Sequence, residues 1–99
     1  MSLEDKALSI PEDLAALDPE KVTELARIWW GENTPYMNIR PALNEPRFVG
    51  TMLAECAWHF SQAYAQMRGL DQAEAFKSIC DAWDEAHARA AASRKETSQ

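Results

Sequence analysis

Between Pro46 and Gly69 the chain has one long stretch in which apolar residues recur every three or four positions. Phe48, Val49, Met52, Leu53, Cys56, Phe60, Ala63, Tyr64 and Met67 keep the spacing of one helical side, which is the signature of a buried helix face. With Trp58 and Ala57 added, apolar side chains cover well over half of the circumference. A helix apolar on most sides must be contacted by several elements, so it is expected to be central. Any fold for this chain is arranged around that demand.

The flanking residues give the helix its neighbours. Asn44-Glu45-Pro46 reads as a start signal and Gly69 as a left-handed stop. Asp71 is placed to cap a third helix over about residues 72–91, with the stripe Ala73, Phe76, Ile79, Cys80, Trp83 and His87. Its far side carries Glu74, Lys77, Asp81, Asp84, Glu85 and Arg89, as on a plain amphipathic helix. The short link at Gly69 makes the pair an antiparallel helical hairpin. Mirroring the two helices about that link sets Phe60 opposite Ile79, Cys56 opposite Trp83 and Tyr64 near Phe76.

Upstream, Asp18-Pro19-Glu20 resembles a helix start, and Val22, Leu25, Ala26, Ile28 and Trp29 have helical spacing. A first helix is therefore expected over about 19–30, with Trp29 inward and Trp30 at its edge. Pro35–Arg40 alternates instead, with Tyr36, Asn38 and Arg40 on one side and Met37 and Ile39 on the other, as in a half-buried strand. A lone strand leaves backbone donors and acceptors unpaired. Two partners are open to it. One is a second short strand near the N-terminus at Leu8–Ile10, running parallel; the other is the same strand of a second copy. The fold class expected is α+β, mainly helical: a first helix, one short strand, then the long helical hairpin. A chain of 99 residues suits a single domain, with residues 1–6 and 94–99 as flexible ends.

Charge narrows the function. The formal net charge of −6 repels phosphate backbones, so no nucleic-acid partner is expected. No apolar stretch reaches the roughly 20 residues that span a bilayer, and "MSLEDKALSI" is not a secretory leader. The two cysteines fit reduced thiols, and a cytoplasmic location is expected.

Sites of chemistry are sparse. Cys56 and His59 share a helix face, and Cys80 is expected opposite them. Cys80 and His87 stand about 10 Å apart along the axis, too far to share one ion, so no metal site is assigned. No third group orients a Cys56/His59 nucleophile, so no catalytic residue and no cofactor are assigned. Arg40 and Arg47 flank the strand–helix junction, where surface ion pairing outweighs anion binding. Trp30 and Trp58 either complete a small core or belong to a contact patch, because Trp, Tyr and Arg dominate interface hot spots.

Four segments, "ELARIWW", "NIRPALNEP", "GTMLAECAWHFSQAYA" and "GLDQAEAF", resemble a family of short bacterial proteins known only as a domain of unknown function. The resemblance implies a small single-domain bacterial protein and brings no activity with it. The residues themselves point to an interaction or regulatory module without catalytic activity. Its contacts would be Trp30, Tyr36, Arg40, Arg47 and Trp58, and its partner another protein or a second copy joined through the strand Pro35–Arg40. The alternative is a small-molecule binding module with a pocket from Trp30, Trp58 and Tyr64. Third comes an enzyme using Cys56, His59 and Cys80.

Overall fold

The structure of the protein, a computed structural model, describes the backbone of residues 2–97 and the side chains of residues 2–94. The expectation of flexible ends falls partly on residues 1, 98 and 99, which lie outside the described residues. The chain forms two compact units, 1–44 and 45–99.

The first unit holds a 3-10 turn (Glu4–Lys6), a single helical turn α1 (Glu12–Ala15), a second 3-10 turn (Pro19–Lys21) and two strands, β1 (Ala26–Gly31) and β2 (Thr34–Ile39). Asp18 does cap, its Oδ1 accepting the Glu20 N–H at 3.0 Å. What it starts is only a three-residue turn, however, and Val22 is already extended at φ −122° and ψ 135°. The first helix expected over 19–30 is replaced by a strand. Ile28, Trp29 and Trp30 are β-branched or aromatic, and such residues pack well on a pleated surface. The local turn then decides the matter. Glu32 and Asn33 both have positive φ, 52° and 63°, which is the two-residue type I′ geometry that joins tight antiparallel strands.

The partner of β2 is therefore β1, antiparallel, with Trp29 opposite Tyr36, Ile28 opposite Met37 and Trp30 opposite Pro35. Leu8–Ile10 forms no strand, and Leu8 is 96% exposed. An N-terminal parallel partner would have needed a crossover helix, and the tight turn makes that unnecessary. The Arg40 N–H donates to the Leu25 carbonyl at 2.8 Å, which fixes the alternation of the ladder. Trp29/Tyr36 and Gly31/Thr34 are then hydrogen-bonded pairs, while Trp30/Pro35 is not. Pro35 thus sits where its missing N–H would point away from β1, so the hairpin loses no bond to it. A Cβ at Gly31 would lie 3.5 Å from the Tyr36 ring, an ordinary contact, so packing does not demand glycine there.

The second unit is the helical hairpin expected from the sequence, α2 (Arg47–Arg68) and α3 (Gln72–Thr97). Gly69 ends α2 in the left-handed region at φ 71°. Asp71 Oδ2 accepts the Glu74 N–H at 3.0 Å and so caps α3. The mainly helical α+β class holds.

The contact side of α2 differs from the mirror estimate. Trp58 meets Phe76 edge-on at 5.2 Å and 80°, and Gly50, Leu53, Ala54 and Ala57 share one cleft with Phe76, Ile79, Cys80 and Trp83. Ser61 is fully buried, its hydroxyl donating to the Trp58 carbonyl at 2.6 Å. Where the seam is tightest α2 offers Ala57 and Ser61, whose small side chains give the large α3 side chains room to interdigitate, whereas a Cβ on Gly50 would meet open space. Phe60, expected opposite Ile79, is instead 62% exposed.

The type I′ turn yields a first prediction. Glu32 holds a left-handed conformation that Asn adopts more readily, and Asn33 one that Gly adopts at least cost. The double change Glu32→Asn with Asn33→Gly relieves part of the roughly 1–2 kcal/mol that a left-handed L-residue costs and is expected to stabilise the protein by about 0.5–1 kcal/mol. A thermal unfolding midpoint that rises supports the assigned turn; a midpoint that falls contradicts it.

Candidate functional site

A two-residue hairpin fixes which side chains share a face, because neighbours alternate and directly paired residues point the same way. On one face of the β1–β2 hairpin stand the pairs Ala26/Ile39, Ile28/Met37 and Trp30/Pro35. All six are apolar and all are exposed, Trp30 at 71% and Ile28 at 66%. An exposed patch of contiguous apolar side chains is the usual mark of a surface that meets another.

The opposite face is polar and aromatic, with Arg27, Trp29, Tyr36 and Asn38. Arg27 organises it. Its guanidinium donates two hydrogen bonds to the Glu4 carboxylate, at 2.7 and 3.1 Å, and stands 5.2 Å over the Trp29 ring. Glu24 approaches the same guanidinium at 4.0 Å. The two hydrogen bonds from Arg27, then its charge, hold the Glu4 carboxyl below the usual carboxylate range, and the same contacts raise Arg27. This fork ties the N-terminal turn to β1. Between them lies an open cleft of about 870 Å³, lined by Leu3, Leu8, Trp29, Trp30 and Tyr36 among others.

The contact residues chosen from the sequence fall into three places. Tyr36 belongs to the polar face, where the alternation of β2 continues to Arg40. Trp30 belongs to the apolar face, with Ile28 and Met37. Among the described residues Arg40 has no carboxylate partner of the kind expected; its Nη1 donates to the Glu24 carbonyl at 3.1 Å, which ties down the approach to β1. Arg47 and Trp58 lie in the second unit, Arg47 as the first residue of α2 and Trp58 against Phe76. Sequence reasoning missed Ile28, Met37 and Ile39 as members of the surface. The signal was present in the alternation of 26, 28 and 30 on the near side of the turn.

The groups considered for metal or catalysis have ordinary neighbours. His59 Nδ1 lies 3.2 Å from Gln62 Oε1, and His87 Nδ1 lies 3.0 Å from the Trp83 carbonyl. Cys56 is exposed and Cys80 half-buried, and both are free thiols. Among the described residues no three His, Cys, Asp or Glu side chains converge as metal ligands would. Nor is any helix among them long and apolar enough to cross a membrane.

The comparisons with known proteins add a family and a fold. Residues 7–93 match the domain of unknown function DUF5076. The chain belongs to that family. A solved structure described as a "putative pyruvate dehydrogenase" from the photosynthetic bacterium Rhodopseudomonas palustrus CGA009 is similar in fold, with a TM-score of 0.65. It is 21% identical over 83% of this chain and 82% of its own, and identity at that level carries the fold alone. None of the curated proteins compared with the chain matches it.

The Arg27–Glu4 fork gives the second prediction, with its sign. The Glu4 pKa is lower in the folded protein than in the unfolded chain. Its contribution is therefore full above the ordinary carboxylate pKa and is lost as pH falls through the lowered value. Amide exchange at Lys6 and Ala7, whose N–H groups close the N-terminal turn, is expected to speed up several-fold, relative to the intrinsic rate, on acidification or in Glu4→Gln. Unchanged protection in both would show that the fork does not hold this segment.

Proposed function

We propose that this member of the DUF5076 family is a non-catalytic interaction module, and that the exposed apolar face of its hairpin is the surface a protein partner covers. The observation that carries the proposal is the chemistry of that face. Ala26, Ile28, Trp30, Pro35, Met37 and Ile39 stand together, apolar and exposed, on a two-stranded sheet. Such a sheet is marginal alone and becomes stable by packing one face against something else. Trp30 is the anchor of the kind that interface hot spots favour. Tyr36 stands on the other face of the same hairpin and Arg40 follows it, while Arg47 and Trp58 belong to the second unit. For a homodimer through β2, the strand offers the outward N–H groups of Met37 and Ile39, whereas Pro35 offers none.

A second reading rests on the open cleft beside β1. Trp29, Trp30 and Tyr36 line it, and a flat apolar or aromatic small molecule would fit such a lining. In this reading the pocket forms around Trp30, with Trp58 and Tyr64 remaining on α2. The acidic, soluble composition and the absence of a phosphate-binding motif favour the interaction module over nucleic-acid or catalytic roles.

Site-specific photocrosslinking separates the readings. A photoreactive residue in place of Met37, on the apolar face, is expected to give discrete protein adducts in cells of the source organism. The same residue in place of Glu85, on the acidic side of α3, is expected to give none. Absence of protein adducts at both positions, with a small molecule retained by the intact protein in native mass spectrometry and lost in Trp29→Ala, would replace the interaction reading by the pocket.

A further inference from the structure

The α2 helix has a second apolar face that α3 does not use. At 100° per residue, Val49, Met52, Cys56, Phe60, Ala63 and Met67 fall within about 80° of one another, and the seam of Gly50, Ala54, Ala57 and Ser61 sits roughly 130° away. Most of the face is open: Phe60 is 62% exposed, Met67 80%, and Val49 and Cys56 are exposed too, while Met52 and Ala63 are half-buried. Intervals of three and four residues along it match the stripe by which one helix packs lengthwise on another.

We propose that this face is occupied by α2 of a second copy, antiparallel about a two-fold axis near residue 58, so that two helical hairpins make a four-helix bundle. Three observations select this occupant. The face is self-complementary when reversed on itself: Cys56 then meets the partner's Phe60, Met52 meets the partner's Ala63, and Val49 meets the partner's Met67. Small meets large in the first two layers, which is how a core fills without voids. A two-fold interface requires such reciprocity, since each contact is made twice.

Charge agrees with that pairing. The flank beside the face carries Glu55, His59, Gln62 and Gln66, so reversal sets Glu55 against the partner's His59 and excludes like-charge contacts there. The outer side of α3, by contrast, carries Glu74, Asp81 and Glu85, and Lys77 is already bonded to Asp81 at 2.6 Å. Two such surfaces repel, which puts α3 on the outside. Area is of the right order for a reversible dimer. A 22-residue helix is about 33 Å long, and its open face offers roughly 400–500 Å² per copy, about 800–1,000 Å² for the pair, the size of a weak and reversible interface.

This interface is separate from the hairpin surface, so either proposal can fail alone. The full chain is expected to sediment at about 22 kDa, twice its 11.2 kDa, at micromolar concentration. Phe60→Glu is expected to give the 11.2 kDa species, while Ile28→Lys, on the hairpin, leaves the dimer intact. Crosslinking needs no disruptive change. In this arrangement the two Cys56 residues stand about 10 Å apart, within reach of a short bismaleimide. Cys80→Ser protein is expected to crosslink to a covalent dimer and Cys56→Ser protein is not. A monomer at high concentration overturns the proposal. So does a dimer lost in Ile28→Lys but kept in Phe60→Glu, or a Cys80→Ser dimer that the reagent does not link.

Discussion

Burial of apolar surface is the favourable term that offsets chain entropy on folding, and this chain distributes it unusually. Among the described residues no apolar side chain is fully buried, and the one residue that is, Ser61, is polar. Each unit makes a single internal contact layer. The hairpin joins β1 to β2, and the helical unit joins α2 to α3 through a seam of small residues. Each then presents a further apolar surface, on the sheet around Trp30 and on α2 around Phe60. Neither a two-stranded sheet nor a two-helix hairpin encloses a core by itself. The chemistry of both surfaces follows from that one shortage.

The local devices are well made in spite of it. The type I′ turn at Glu32-Asn33 sets the hairpin register, and the register sorts every side chain from Ala26 to Ile39 onto one face or the other. Arg27 then draws Glu4 and Trp29 together on the polar face, leaving the apolar face uninterrupted. In the second unit Asp71 and Gly69 set the helix ends, and the small side of α2 takes the large stripe of α3. These turns and caps are well formed, so the exposed apolar residues reflect placement and not poor local fit.

Much of this was readable in the residues. Helix spacing, the Gly69 stop and the Asp71 cap gave the helical hairpin, and the alternation of Pro35–Arg40 gave β2. The error lay in residues 22–30. Val22, Leu25, Ala26 and Trp29 keep helical spacing, while Ala26, Ile28 and Trp30 alternate, and a run this short fits both periods. The turn decided it, and Glu at its first central position hid the signal, because Asn or Gly is the usual residue there. That one misreading also moved Trp30. As a helical residue it belonged with Tyr36 and Arg40; paired with Pro35 it faces the other way, with Ile28 and Met37. The α2 seam was misplaced for a related reason: hydrophobicity pointed to Cys56 and Phe60, whereas close packing selected Ala57 and Ser61.

The proposed association, by completing the core, would make stability depend on the concentration of the chain or of its partner. The most direct measurement is urea unfolding of the isolated full chain over a hundredfold range of protein concentration. The account expects the midpoint to climb steadily as the chain becomes more concentrated, as for a folded dimer in equilibrium with unfolded monomers. A midpoint independent of concentration, together with a sharp two-state transition of the slope normal for a 99-residue domain, would show a self-sufficient core and contradict it.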